Sequence, residues 1–169
     1  DTLFEILALE KETEPFEDAV RILIKVLDAF LTLGEFSKAS ELLKRVYIIL
    51  KTYDLQDWQV EGIGKIIVEA GAEVRIERMG RVLEREEILL EHVSAYLLLL
   101  QKNAIKPLIK LLGELKNSKV RRMFCDALSE IGKNQIELFT PFIDYRWWYL
   151  VRNIVYILGW IGKEHDFPC

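Results

Sequence analysis

The chain has 169 residues, a formal net charge of −4, and 51% hydrophobic residues beside 30% charged ones. This length and composition predict one folded domain with a sizeable core and exclude a disordered chain. The negative net charge argues against nucleic acid or an anionic membrane as the partner. Two cysteines are too few for a secreted disulfide framework, and two distant histidines indicate no metal cluster.

Apolar residues recur at helical spacing along nearly the whole chain, beginning with residues 16–33 and 36–53 on either side of Gly34. Further helices are predicted at about 57–70, 72–84, 86–101, 104–116, 118–132, 135–143 and 146–162. Glycine, asparagine or aspartate marks the breaks between them, as at Gly71 and Gly132. The β-branched runs lie inside this spacing, so the predicted class is all-α with about nine helices.

A longer period of about 30 residues overlies the helical spacing in the second half of the chain. Identical residues recur at this offset and pair Arg122 with Arg152, Leu128 with Leu158, and Ile131-Gly132-Lys133 with Ile161-Gly162-Lys163. One helix pair cannot bury its apolar face alone, so the period predicts an α-solenoid of stacked antiparallel helix pairs, which we expect to be right-handed. The predicted core positions between successive pairs are Leu128, Ile131, Leu158 and Ile161.

The segments that follow this period resemble the second helix of a bacterial HEAT repeat. The residues that carry the resemblance are Val120-Arg121-Arg122, Ala127-Leu128 and Ile131-Gly132, with Arg146-Trp147-Trp148-Tyr149-Leu150-Val151-Arg152-Asn153, Ile157-Leu158-Gly159 and Ile161-Gly162 one unit later. It covers roughly residues 104–169 and extends to about residue 72. What it implies is a HEAT-like, armadillo-type solenoid over residues 72–169 whose second helices line a concave surface.

The first third of the chain follows a different pattern. Leu33-Gly34-Glu35-Phe36, together with Ala39 and Leu43, resembles the turn and second helix of a tetratricopeptide repeat, and an irregular helical cap explains the pattern equally well. We therefore expect residues 1–71 to form an N-terminal helical cap or a divergent repeat region. With the HEAT-like repeats of residues 72–169 it is expected to form one continuous solenoid.

The sequences of the two ends of the chain lead to expectations about the parent protein. No initiator Met is present and Asp1–Glu5 lacks the basic region of a signal peptide, so we expect a processed or excised piece of a cytoplasmic protein. The apolar run 147–162 is too short to span a membrane and contains Arg152. His165–Pro168 holds the place of Leu138–Pro141 one unit earlier, which predicts that the chain is truncated within a repeat.

The sequence contains none of the motifs that carry enzyme chemistry. It has neither a Gly-rich phosphate loop nor a Gly-x-Ser-x-Gly nucleophile elbow. Cys125 lies within an amphipathic helix with no base spaced to activate it, which favours a small, partly buried side chain. His92 and His165 have no partner at ligand spacing. We therefore predict no enzyme activity, no cofactor and no bound metal.

One side of the predicted helix 146–162 is the candidate partner-binding site. Its members follow one another at intervals of three or four residues and share a face, and they are Tyr149, Arg152, Tyr156 and Trp160. Thirty residues earlier the same positions are polar, namely Lys119, Arg122, Asp126 and Glu130, which predicts that this face meets solvent in both helices. Arg122 joins the candidate set. The alternative is that these aromatics are core residues whose cover, the next repeat, is missing.

The leading function is a non-catalytic scaffold or adaptor that holds a protein partner or a neighbouring domain of a longer parent chain. The alternative is a HEAT-like DNA-binding protein or DNA alkylation-repair glycosylase, and its basic and aromatic candidates are Arg121, Arg122, Arg146, Arg152, Trp147 and Trp148. A HEAT-like lyase acting on bilin chromophores is a third reading that no residue supports specifically. Self-association through the exposed face of the C-terminal repeat is a further expected interaction.

Overall fold

The computed structural model describes residues 2–85, 88–143 and 148–165, and this part of the chain contains nine α-helices. In chain order, α1 to α9 are Thr2–Leu9, Thr13–Thr32, Phe36–Thr52, Asp57–Ala70, Glu73–Arg85, Leu90–Leu97, Ile105–Glu114, Ser118–Ile131 and Trp148–His165. Three short 3₁₀ turns are Lys102–Ala104, Ile136–Leu138 and Thr140–Phe142. None of the described residues belongs to a β-strand, and the predicted all-α class is confirmed.

The predicted helix at residues 135–143 is wrong, because two successive 3₁₀ turns occupy this segment. The N–H of Phe139 donates to the Ile136 carbonyl at 3.0 Å, a bond that spans three residues instead of the four of an α-helix. Pro141 has no N–H to donate to the Glu137 carbonyl, and the Thr140 hydroxyl donates to that carbonyl instead, at 2.9 Å. Proline chemistry therefore overrides the helical spacing of the apolar residues.

At the opposite end the structure contains a helix that the sequence pattern does not reveal. α1 has only eight residues, and its apolar side chains lie on most sides of the helix. The hydrophobic period is therefore weak, although Leu7 is fully buried. The number of helices agrees with the expectation, but α1 takes the place of the helix predicted at 135–143.

The predicted helix at residues 86–101 is shorter in the structure. α6 ends at Leu97, and the N–H groups of Leu99 and Leu100 donate to the carbonyls of Tyr96 and Leu97 at 3.1 and 3.0 Å. These bonds span three residues and form a turn. Residues 86 and 87, with which the predicted helix begins, lie outside the described part of the chain.

Two of the predicted breaks have clear local causes. Gly34 has a φ of 72°, a left-handed conformation that disfavours side chains with a Cβ atom, and it separates α2 from α3. Asn117 caps the N-terminus of α8, because its Oδ1 accepts the N–H groups of Lys119 at 2.9 Å and Val120 at 3.3 Å. The register of α8, which carries part of the candidate site, is therefore fixed from its first turn.

The hydrophobic core is continuous from α1 to α9. α2 packs against α4 and α5, and α3 packs against α6, so apolar contacts cross the position of residue 71. Further along, α5 packs on α7, α6 on α8, and α7 on α9. The largest fully buried side chains come from several of these layers and include Phe16, Phe36, Tyr96, Phe124 and Phe139.

Polar contacts also join the first third of the chain to the rest. The Tyr47 hydroxyl donates to the Leu99 carbonyl at 2.8 Å. The Arg75 side chain is 7% exposed and forms ion pairs with Asp28 of α2 and Glu69 of α4, and Arg78 donates to the same Asp28 carboxylate at 3.1 Å. Because a buried guanidinium without partners is strongly destabilising, these carboxylates are part of the packing of α5.

The four predicted core positions divide into two classes. Leu128 and Ile161 are each 1% exposed, as expected. The prediction is wrong for Ile131 and Leu158, which are only partly buried. Ile131 is the last residue of α8, so it lies at the edge of the buried face. Leu158 belongs to α9, against whose far side no later described helix packs.

The segment 166–169, on which the predicted truncation within a repeat rests, lies outside the described residues. Within the described ranges, each helix is too short or too polar to traverse a bilayer.

Candidate functional site

α8 and α9 carry the 30-residue period into the structure, because the same register faces inward in both helices. The pairs that are buried in both are Val120 with Leu150, Phe124 with Ile154, and Ala127 with Ile157. The two helices also pack directly against each other. Their remaining positions can therefore be compared one by one.

We use the term aromatic stripe for Tyr149, Arg152, Tyr156 and Trp160 on α9. All four side chains are exposed, and the three aromatic ones expose 39%, 40% and 51% of their surface. Their α8 counterparts are exposed as well, and these are Lys119, Arg122, Asp126 and Glu130. The predicted exposure of this register is confirmed in both helices, whereas its role in binding stays a prediction.

A second face of α9 differs from its counterpart in α8. This open face consists of Val155, Leu158, Gly159 and Gly162, and Val155 is 57% exposed. The equivalent positions of α8 are all buried, and they are Cys125, Leu128, Ser129 and Gly132. In α8, the segment that follows in the chain therefore covers the positions equivalent to the open face. It leaves the positions equivalent to the aromatic stripe exposed to solvent. The aromatics of α9 therefore do not occupy the positions that are covered in α8.

A groove of about 310 Å³ lies between α8 and α9. Its lining residues are Ser118, Arg121, Arg122, Cys125, Arg152, Asn153 and Tyr156, and we call it the arginine groove. Three of the seven carry a positive charge, and none is an aspartate or glutamate. The arginine groove is therefore locally electropositive in a chain whose net charge is −4.

Arg121 is held in place by the end of the preceding helix. Its Nη1 donates to the carbonyl oxygens of Leu115 and Lys116 at 2.9 and 2.6 Å, just beyond the C-terminus of α7. These two carbonyls satisfy part of the guanidinium and restrict its rotamers. The Arg121 guanidinium is therefore held at the end of α7, while its side chain lines the arginine groove.

Cys125 lies at the inner side of the arginine groove and is 4% exposed. Burial, and after it the Asp126 carboxylate, raise the pKa of its thiol to about 11, although Arg121 and Arg152 act in the opposite direction. The thiol is therefore protonated at neutral pH, which is the state of a structural cysteine rather than of a nucleophile.

The structure brings three of the five predicted site residues together. Arg122, Arg152 and Tyr156 line the arginine groove, whereas Tyr149 and Trp160 belong to the aromatic stripe on either side of it. The stripe and the groove share Arg152 and Tyr156, so they form one surface. A ligand lying along the stripe would therefore meet the arginines as well.

The position of Arg121 at the site was not evident from the aromatic stripe alone. The sequence places it only within the basic set of the DNA-binding alternative. The offset of 30 that superimposes Arg122 on Arg152 was the available signal, since residues next to such a pair lie near the boundary of the two helices. Of the other residues in that set, Arg146 and Trp147 lie outside the described residues.

Two other concavities lie in the first half of the chain. A groove of about 460 Å³ runs between α2 and α4, and a smaller one of about 240 Å³ lies among α1, α2 and α3. Apolar side chains and scattered charges of both signs line them.

Among the described residues, no three His, Cys, Asp or Glu side chains approach one another closely enough to hold a metal ion.

Comparison of the chain with protein-family models, with curated proteins and with solved structures gave no match. The surface of α8 and α9, with the physical chemistry of its residues, is therefore the guide to function.

Proposed function

We propose that this chain is a non-catalytic protein-interaction module, built as a HEAT-like solenoid, that binds a segment of a partner protein along the aromatic stripe of α9. The proposed solenoid is supported by the alternating contacts of α5 with α7, α6 with α8 and α7 with α9. It is also supported by the shared inward register of α8 and α9. Stacked helix pairs of this kind present an extended surface suited to holding another chain.

The observation that carries the proposal is the register of the exposed aromatics. Tyr156 and Trp160 stand at positions that remain in solvent in α8, where a following neighbour is present. Exposure of a large aromatic side chain is unfavourable in free energy, because its large apolar surface stays in contact with water instead of being buried. Trp, Tyr and Arg are also the residues most enriched in interface hot spots.

Selection from a random peptide library displayed on phage tests this proposal. Peptides retained by the wild-type protein should be lost on the double variant Tyr156→Ala/Trp160→Ala. Because both side chains are exposed, the variant should change the free energy of unfolding by less than about 1 kcal/mol. A large fall in melting temperature would assign the two residues to the core and contradict the proposal.

A matched control comes from the open face of the same helix. Val155→Ala removes an exposed apolar side chain from the other face of α9 and should leave peptide binding intact. Loss of binding in this control, rather than in the double variant, would move the binding site to the open face. Sedimentation at increasing concentration would then show whether a second copy of the chain occupies that face.

DNA binding is the second candidate function, and one observation favours it. Arg121, Arg122 and Arg152 line a single groove next to exposed aromatic side chains, which is a combination that phosphates and bases can use. The net charge of −4 opposes this reading. A gel shift with a short random-sequence duplex separates the two candidates, because strong salt-dependent retention would favour DNA over a protein partner.

A further inference from the structure

The arginine groove concentrates positive charge at one point of an acidic chain. Its three arginines come from two helices, and no carboxylate lines the groove. Neither Arg121 nor Arg122 forms an ion pair with a carboxylate in the described part of the chain. Positive side chains that line one groove without a lining carboxylate attract anionic groups.

The geometry of the groove favours an anion that accepts hydrogen bonds. Guanidinium groups present planar pairs of N–H donors that match the two oxygens of a carboxylate. Arg121 is already anchored by the carbonyls of Leu115 and Lys116, which lowers the entropy that binding would remove. Asn153 adds an amide that donates and accepts hydrogen bonds to the same lining.

Resting on the proposed function, we propose that the partner segment is acidic. Aspartate or glutamate side chains of the partner enter the arginine groove, while neighbouring apolar side chains contact Tyr156 and Trp160. The continuity of the two surfaces supports this arrangement, because Arg152 and Tyr156 belong to both the groove and the aromatic stripe. The positive charge of the groove selects an acidic segment, and the aromatic stripe sets the direction in which that segment runs along α9.

The library selection described above gives the first measurement. Peptides retained by the wild-type protein should be enriched in Asp and Glu relative to the starting library. The same selection on Arg122→Gln/Arg152→Gln should lose this enrichment, because both changed side chains line the groove. Both arginines are exposed, so the variant is expected to melt at the wild-type temperature. Arg121 is left unchanged, since it holds the end of α7.

A change in the peptide gives a second measurement that does not depend on folding of a protein variant. One selected peptide is synthesised with its carboxylates intact and again with Asn and Gln in their place. The wild-type protein should bind the amide version about tenfold more weakly, and the arginine double variant should bind both versions equally. Lys119→Gln is the matched control, because Lys119 is an exposed cation of α8 outside the groove and its loss should preserve the preference.

The outcomes separate this inference from the proposed function. Peptides that depend on Tyr156 and Trp160 but lack acidic enrichment, or whose amide versions bind equally well, would overturn the acidic partner and leave the proposed function standing. Failure to select any stripe-dependent peptide would count against both. Tighter binding of inorganic pyrophosphate or of a random duplex than of the selected peptides would assign the groove to phosphate and overturn the acidic partner.

Discussion

α8 and α9 carry the same sequence period and bury the same inward register, yet their other faces have different surroundings. Gly132 of α8 is buried, and a Cβ atom there would lie 2.5 Å from the ring of Phe139. Its counterpart Gly162 in α9 is exposed, and a Cβ atom there would meet nothing within 4 Å. A repeated residue therefore identifies a position in the unit, whereas the neighbouring segment decides whether that position is packed.

The largest expected difference between the two helices concerns the paired leucines. Leu128→Ala should lower the free energy of unfolding by roughly 2–5 kcal/mol, because it removes a side chain that is 1% exposed and leaves a cavity. Leu158→Ala should lower it by less than about 2 kcal/mol, because that side chain is only partly buried. Urea denaturation of both variants measures the difference. Equal losses would show that α9 is covered as completely as α8.

The paired glycines should respond with opposite signs. Gly132→Ala should destabilise the protein by about 1–3 kcal/mol, since the new methyl group meets both the Phe139 ring and the Leu128 carbonyl. Gly162→Ala should raise the free energy of unfolding by about 0.5–1 kcal/mol, because alanine favours helix and the space is open. Thermal melting of the two single variants is sufficient. Destabilisation by Gly162→Ala would indicate an unseen neighbour on the open face.

Cys125, whose counterpart in α9 is the non-titrating Val155, makes the stability of the protein depend on pH. Folding favours the protonated Cys125 thiol, so its contribution to stability is complete below about pH 9 and disappears as the pH rises through its folded pKa of about 11. The free energy of unfolding should fall by roughly 1–2 kcal/mol over this window. Burial also raises the pKa values of Tyr47 and Tyr96, so their contributions to stability begin to be lost above the ordinary tyrosine pKa of about 10, within the same window.

Cys125→Ala is the control for this pH dependence. Its free energy of unfolding should be lower at neutral pH but should change less between pH 9 and 11, leaving the decline that the tyrosines produce. An unaltered slope in the variant would mean that the thiol does not titrate in the folded protein over this range.

The smallest expected effect is at the outward register that both helices share. Trp160→Ala in α9 and Glu130→Ala in α8 should each change the free energy of unfolding by less than about 1 kcal/mol, because both positions are exposed. Denaturation curves of the two variants should nearly superimpose on the wild-type curve. A loss of several kcal/mol in Trp160→Ala alone would show that the stripe is packed in solution.

The sequence predicted the fold best where amphipathic spacing persists over several turns. α2, α3, α4, α7 and α8 begin and end within about three residues of the predicted bounds. Amphipathic spacing did not predict α1, whose apolar residues surround a short helix, and it wrongly predicted a helix at residues 135–143, where Pro141 removes a backbone donor. In α1 the apolar residues leave little period to detect, and in residues 135–143 local hydrogen-bond chemistry overrides the period.

For the site, the sequence supplied the exposure of the aromatic stripe and not the groove beside it. Exposure follows from comparing one register in two units, and that comparison needs only the offset between Trp160 and Glu130. The arginine groove depends on how closely α8 approaches α9 and on the carbonyls that hold Arg121. Distances between helices are set by packing across the whole interface, so spacing along the chain does not determine them.

The contacts of Asp28 bear on how the protein is assembled during synthesis. Its carboxylate pairs with Arg75 and Arg78, which are made 47 and 50 residues later. Chains are synthesised from the N-terminus, and a region completes its folding only when its partners are present. α2 and α3 therefore reach their final packing only after α5 and α6 have been synthesised. In a nascent chain that stops near residue 71, the uncovered faces of both helices would be exposed to chaperones.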